Sequence, residues 1–148
     1  MKIVVHGIPA PQGSKRHVGN GVMIESSAKV KPWREAVKWA AIEALRTYSP
    51  FGPGVPVAAT MTFYLPRPKG HYGTGKNASN LKPSAPMFVT TKPDKDKLIR
   101  STFDALGDAG VWVDDAQVVV GTYWKRYADN GAAPGADIDL RVAGDVPW

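Results

Sequence analysis

The hydrophobic period changes along this chain, and that change limits the folds it can adopt. Residues 33–45 carry apolar side chains three and four positions apart, the spacing of one helix face. Pro32 stands just before them, where helices commonly begin. Residues 57–65 instead alternate apolar and polar side chains, as a strand does when one face is buried. The two patterns indicate helices packed on one side of a sheet.

The remaining periodic segments complete this picture. We expect helices over residues 32–47 and 94–108, and tryptophans in the core. The predicted core tryptophans are Trp33, Trp39 and Trp112, and the other predicted strands are 2–8, 117–125, 137–142 and a short hairpin around Gly19, Asn20 and Gly21. The sequence therefore predicts a single two-layer α/β domain spanning residues 1–148, with a mixed sheet of about four to five strands and two helices.

Charge is distributed unevenly along the chain. Residues 1–93 contain 13 lysines and arginines, three glutamates and no aspartate, a net charge of +10. Residues 94–148 contain six lysines and arginines and all ten aspartates, a net charge of −4. A basic body attracts phosphates, and grouped carboxylates bind divalent metal ions. The same distribution also fits a basic protein whose acidic half has no special role.

Composition excludes several classes of site. The chain has no cysteine, which excludes disulfides, thiolate zinc sites and cysteine nucleophiles. It has no apolar run long enough to cross a membrane, and its N-terminal apolar stretch is too short for a signal peptide. We therefore expect a cytoplasmic protein without a membrane partner.

The segment 66–93 is long, rich in proline, glycine, lysine and serine, and contains no acidic residue. A loop of this length in a small domain is either functional or disordered. Together with the basic loop 11–17, it is predicted to contact the DNA backbone. The residues predicted to bind DNA are Lys15, Arg16, Lys69 and Lys76.

Asp94 and Asp96 are the first aspartates of the chain, and they form a D-x-D pair at the start of the second predicted helix. The simplest explanation is local, because Asp94 can cap the helix and Asp96 favours its positive end. Each effect contributes about 0.5–1 kcal/mol. A D-x-D pair alone therefore does not establish a metal site.

The spacing to the next acidic pair is an argument for a metal site. The predicted helix advances about 16 Å from Asp96 to Gly107, and an extended chain advances about 16 Å from Gly110 to Asp115. If the chain reverses between the two glycines, residues 114–115 return level with the D-x-D pair. Three or four carboxylates would then crowd one edge, where they repel one another unless a cation neutralises them. Oxygen ligands of this kind suit magnesium or manganese.

Two consecutive motifs make this region specific: P-D-K-D-K-L-I-R-S-T-F-D-A-L and, after a short turn, G-V-W-V-D-D-A-Q-V. Over residues 93–119 the chain resembles the RusA family of Holliday junction resolvases, which is common in phages and prophages. The family pattern reads D-x-D-N-L, a basic residue, F/L-D-A-L, a short turn and D-D-x-Q-V. Residues 9–16, P-x-P-x-G-S-K-R, carry a looser likeness.

The resemblance implies the roles of several residues. Asp94, Asp96 and Asp115 match the catalytic metal-binding aspartates, and Arg100 stands where the family has a basic catalytic residue, usually lysine. Lys97 replaces the usual asparagine, so that its charge either weakens metal binding or contacts the scissile strand. Two further residues are expected to contact the metal ligands rather than the ion. Asp114 matches an aspartate beside the third ligand, and Gln117 either orients Asp115 or is simply polar.

The resemblance also implies a cofactor, a substrate and an assembly. The cofactor is Mg²⁺, with Mn²⁺ as a substitute, and the substrate is branched DNA, a four-way junction that receives paired nicks. The implied assembly is a homodimer of phage or prophage origin acting in the host cytoplasm. A two-fold junction favours a two-fold dimer, and residues 117–124 carry apolar side chains on both faces of the predicted strand.

Three other interpretations remain. D-x-D also serves metal-bound nucleotide-sugar chemistry in glycosyltransferases, which are generally larger and less basic. A non-catalytic DNA-binding module of phage origin would use its aspartates only as helix caps, and Arg100 would then pair with Asp96 or Asp104 along the helix. A structural or assembly protein would leave the acidic pairs without a use.

Overall fold

The structure, a computed structural model, describes residues 1–13, 15–17, 23–25, 28–129 and 131–145, with the backbone alone described for 15–17, 23–25 and 145. The predicted helices and strands are all present, although their ends shift by a few residues. In chain order they are β1 (Lys2–His6), β2 (Lys15–His17), β3 (Met23–Glu25), α1 (Val30–Ala44), β4 (Val57–Leu65), α2 (Lys95–Asp108), β5 (Val118–Tyr127) and β6 (Gly135–Val142).

Four of the strands form one mixed sheet in the order β1-β6-β4-β5. β1 and β4 both pair with β6 in antiparallel fashion, while β4 and β5 are parallel and β5 lies at an edge. The mixed sheet and the two helices confirm the predicted α/β class. β2 and β3 pair with each other in a separate two-stranded sheet. The turn predicted around Gly19–Gly21 lies outside the described residues.

The core lies between one face of the sheet and the two helices. Val57, Ala59, Met61, Phe63 and Leu65 on β4 are all buried, as their alternation predicts. The Trp33 indole on α1 donates a hydrogen bond to the Thr102 hydroxyl on α2 across 3.2 Å. This buried contact ties the two helices together.

Two of the three tryptophans predicted in the core are there. Trp33 and Trp112 are buried, but the prediction for Trp39 is wrong, because 68% of that residue is exposed. Position 39 lies outside the apolar series of residues 33–45, so α1 turns it toward solvent. Within the described residues no helix has the length and apolar character needed to cross a bilayer.

The chain after β1 is fastened to the beginning of α2. The Ser101 hydroxyl donates a hydrogen bond to the Ala10 carbonyl at 2.7 Å, and the backbone amide of Gln12 donates one to the Lys97 carbonyl at 3.0 Å. The basic strand β2 therefore leaves the body of the protein close to the first turns of α2.

The segment 66–93 follows β4 and folds back on itself. It contains short 3₁₀ turns at Lys69–His71 and Gly75–Asn77, and Tyr72 and Leu81 form an isolated antiparallel bridge. At its base the Arg67 guanidinium makes two hydrogen bonds of 2.8 Å with the Asp129 carboxylate. The segment is thus attached to the chain that follows β5.

Candidate metal and DNA-binding site

Asp94 occupies the N-cap position of α2, but its side chain does not cap the helix. Its backbone is extended, and the carboxylate accepts no capping hydrogen bond. Asp94 and Asp96, one residue into the first turn, are both exposed. Helix capping therefore does not account for the Asp94 carboxylate, which is available to a ligand.

Lys97 lies beside Asp94 at the same helix end. Its ammonium nitrogen is 3.7 Å from an Asp94 carboxylate oxygen, and both side chains are about half exposed. The lysine that replaces the usual asparagine therefore partly neutralises the first aspartate. A cation approaching Asp94 would have to compete with this internal positive charge.

Lys125 on β5 fixes the chain just before Asp94, a role that the sequence analysis missed. Its ammonium donates to the carbonyls of Thr91 and Pro93, each at 2.9 Å. Lys125 is in register with the buried Phe63, so it lies on the face of the sheet that the helices cover. A lysine on the buried side of a predicted strand was the available signal, because such a charge needs partners.

The second acidic pair lies on a tight turn before β5. The Asp114 carboxylate accepts a hydrogen bond from the Ala116 amide at 2.8 Å. The Gln117 side chain accepts from the amides of Val113 and Asp114. Its nitrogen also donates to the carbonyls of Gly52 and Val55 at 2.8 and 3.0 Å, so that Gln117 fastens this turn to the loop before β4.

The electrostatics of this turn favour a cation. Partial burial raises the pKa of the Asp115 carboxyl, and a hydrogen bond with Asp114 and the negative charges of Asp114 and Asp104 raise it further. A positive ion near Asp115 would relieve this repulsion. The negative charge of this turn therefore suits the binding of a cation.

The two acidic pairs do not assemble into one site within a single chain. Among the described residues no group of three aspartate, glutamate or histidine side chains could hold a metal ion. One of the charges that raise the pKa of Asp115 is that of Asp104, which lies about 12 Å beyond Asp96 along the helix axis. The crowding of three or four carboxylates at one edge therefore stays a prediction.

Contacts with the loop before β4 and with α2 fix the path of the chain after α2. The chain turns at Gly110, and the next residue, Val111, is buried; its carbonyl accepts a hydrogen bond from the Phe51 amide at 2.9 Å. Trp112 packs edge-on against Phe103 with 5.3 Å between ring centroids. These contacts attach residues 111–113 both to the loop before β4 and to α2.

Arg100 does not form the helical ion pair that the simpler interpretation requires. It is exposed, and within the described part of the chain it makes no ion pair with Asp96 or Asp104. Arg100 lines a groove between α1 and α2 together with Asp104 and Asp108. Its guanidinium is therefore free to contact an anion from solution.

The lysines predicted to bind DNA on the long segment are exposed. Lys69 and Lys76 lie on its two 3₁₀ turns. The side chains of Lys15 and Arg16 lie outside the described part of the structure, although their backbone forms β2. The positions of Lys69 and Lys76 are compatible with contact to a polyanion.

The family described as Endodeoxyribonuclease RusA matches residues 6–141, which is nearly the whole chain. No curated protein matched the sequence.

Proposed function

Because this chain belongs to the RusA family of endodeoxyribonucleases, we propose that it resolves four-way DNA junctions by paired, magnesium-dependent nicks in the host cytoplasm. The observation that carries the proposal is the Asp94 carboxylate, which stands at a helix start without capping it. A chain of net charge +6 whose aspartates all lie in residues 94–148 suits phosphodiester hydrolysis, because it can attract DNA and still hold a metal ion.

Asp94, Asp96 and Asp115 would hold the ion. Their donors fit magnesium or manganese, since all are carboxylate oxygens. A divalent ion at this place supplies Lewis-acid stabilisation of the phosphate and a more acidic bound water. Arg100 would add positive charge near the scissile phosphate, and Lys125 would keep residues 91–93 and hence Asp94 in position.

A second copy of the chain would complete each site. No group of three such side chains could hold a metal ion within the described part of one chain, and a closed two-fold pairing would bring Asp94 and Asp96 of one copy to Asp115 of the other. Two such sites, related by symmetry, suit a junction that is itself close to two-fold symmetric. The edge strand β5 offers apolar material for this pairing, because Val119 is 58% exposed and Trp124 is 46% exposed.

The direct test is cleavage of a labelled synthetic four-way junction with magnesium, beside a linear duplex of the same sequence. We expect cuts in two opposite strands of the junction and none in the duplex. Tight junction binding without cleavage, with either magnesium or manganese, would instead support the non-catalytic DNA-binding module.

Lys97 gives a prediction about metal affinity. Replacing Lys97 by Asn should lower the magnesium concentration needed for half-maximal cleavage by several-fold, because a charge 3.7 Å from the Asp94 carboxylate is removed. A magnesium titration of the cleavage rate measures this, with Lys95→Asn as a control on the same helix turn. An unchanged or higher magnesium requirement would assign Lys97 to contact with the DNA strand.

Lys69 and Lys76 give a prediction about DNA affinity. Replacing both by alanine should weaken binding to junction and duplex alike, and should reduce the slope of log K against log salt by about two, roughly one for each lost phosphate contact. Filter binding between low and moderate salt measures the slope. Lys2→Ala on β1 is the control, and a double variant with the wild-type slope would place the DNA surface elsewhere.

A further inference from the structure

Met87 and Phe88 form the most exposed pair of neighbouring large apolar side chains in the described structure. Met87 is 77% exposed and Phe88 is 63% exposed. Both project from the segment 66–93, which has no acidic residue and carries Arg67, Lys69, Lys76, Lys82 and Lys92. Contiguous exposed apolar groups, unlike single ones, mark binding surfaces. Here the surrounding charge indicates a polyanion rather than another apolar protein face.

The backbone holds this pair firmly from both sides. On one side the Arg67 guanidinium donates to the Pro86 carbonyl at 2.6 Å, while also binding Asp129. On the other side Val89 is buried against Leu65 and Tyr127. Met87 and Phe88 are therefore presented to solvent from a fixed backbone, and a complex has to order only their side chains.

The pair lies a short distance from the proposed site. Five residues lie between Phe88 and Asp94, so their Cα atoms are at most about 22 Å apart, the length of about six stacked bases. A cavity of about 610 Å³ lies along this path and is lined by Val89, Lys92, Asp94 and Lys97 among others. It is large enough to receive an unstacked base, and its lysines favour the attached phosphate.

We propose that Met87 and Phe88 form a wedge that inserts between bases at the branch point of the DNA and unstacks them. The inference rests on the proposed function, since it takes branched DNA as the ligand. Apolar side chains separate base steps in this way in proteins that bend DNA, and aromatic rings stack on exposed bases. Unstacking would move the strand beside the wedge toward Asp94.

Fluorescence of a junction carrying 2-aminopurine beside the crossover tests the wedge. In an Asp94→Asn background, which should bind without cutting, binding is expected to raise the fluorescence several-fold. The change Met87→Ala/Phe88→Ala should abolish most of the rise, and in the otherwise wild-type chain it should slow cleavage about tenfold, the loss expected for one stacking contact. Phe88→Trp should retain both signals, and Trp39→Ala, which removes an exposed aromatic ring from α1, should leave them unchanged.

A second substrate distinguishes loss of base unstacking from a general loss of cleavage activity. A junction with two unpaired bases at the crossover is already unstacked, so the double alanine variant should cut it at nearly the wild-type rate. Full fluorescence and full cleavage of the paired junction by this variant would overturn the inference while leaving the proposed function intact. Failure of the wild-type chain to cut any junction would instead reject the proposed function.

Two further outcomes would also overturn the wedge. Loss of self-association in the double alanine variant, measured by sedimentation, would assign Met87 and Phe88 to contact between copies of the chain. A melting temperature lowered by more than about 5 °C, which corresponds to more than about 1 kcal/mol in a domain of this size, would show that the pair packs within the fold.

Discussion

Two inactive variants are expected to regain nicking when they are paired in one dimer. The first variant carries Asp94→Asn and Asp96→Asn, and the second carries Asp115→Asn. Each alone should lose cleavage by about 10³-fold or more, because lost metal ligands remove several kcal/mol of transition-state stabilisation. In the mixed dimer one site recovers Asp94 and Asp96 from the second variant and Asp115 from the first.

The prediction rests on the proposal that each site is shared between two copies, since no group of three carboxylates could hold a metal ion within the described residues of one chain. If each site takes its ligands from both copies, the mixed dimer has one complete site and one site without ligands. It should therefore nick one strand of a junction instead of making paired cuts. If each site lay within one chain, both sites of the mixed dimer would stay incomplete.

Co-expression with two different tags, followed by purification on both, isolates the mixed dimer for a nicking assay. The matched control pairs Asp94→Asn with Asp96→Asn, since every shared site would then still lack one ligand. An inactive mixed dimer would reject the shared site. Sedimentation as a monomer at micromolar concentration, with paired cleavage intact, would reject the homodimer as well.

The sequence predicts the elements well, since each follows from a local hydrophobic period. The alternation in β4 predicts its buried face directly, because neighbouring side chains of a strand point to opposite sides. The helical spacing around Trp33 and Leu98 likewise predicts which sides of α1 and α2 enter the core. These features depend on residues that are close in sequence, so that short-range patterns predict them.

The relation between the two acidic pairs could not be predicted in this way. The path after Gly110 depends on burial of Val111 and Trp112 and on a hydrogen bond from the distant Phe51 amide. The contact of Lys125 with residues 91–93 likewise joins segments that are far apart in sequence. Tertiary contacts of this kind leave no periodic signal, so counting steps along a straight helix and strand could not take them into account.

Replacing Arg67 by Met should lower the free energy of unfolding by about 2–4 kcal/mol and the melting temperature by roughly 10 °C. Only 3% of the Arg67 side chain is exposed, and its guanidinium makes two 2.8 Å hydrogen bonds with Asp129. It also lies over the Tyr127 ring at 4.1 Å and binds the Pro86 carbonyl. Methionine keeps the apolar length but leaves the Asp129 carboxylate without its partner. Thermal unfolding measures the loss.

The charge left on Asp129 provides the control. The variant Arg67→Met/Asp129→Asn should recover part of the lost stability, because no unpaired carboxylate remains; the recovery is limited because Asp129 is 31% exposed and partly solvated in either case. Limited proteolysis should also cut segment 66–93 faster in Arg67→Met, since this residue fastens the base of the segment. A single variant that melts within about 2 °C of the wild type would contradict the structural role of the pair.

The pH dependence of stability gives an independent check on the same pair. The hydrogen bond from Arg67 holds the pKa of the Asp129 carboxyl below its ordinary value. A carboxyl whose pKa is lowered by folding adds stability above its unfolded pKa, about 3.9, and loses it as the pH falls toward the folded value. The wild type should therefore lose more stability than Arg67→Met between about pH 5 and pH 3. Equal losses in the two proteins would mean that Arg67 does not lower the pKa of the Asp129 carboxyl, and would contradict this prediction.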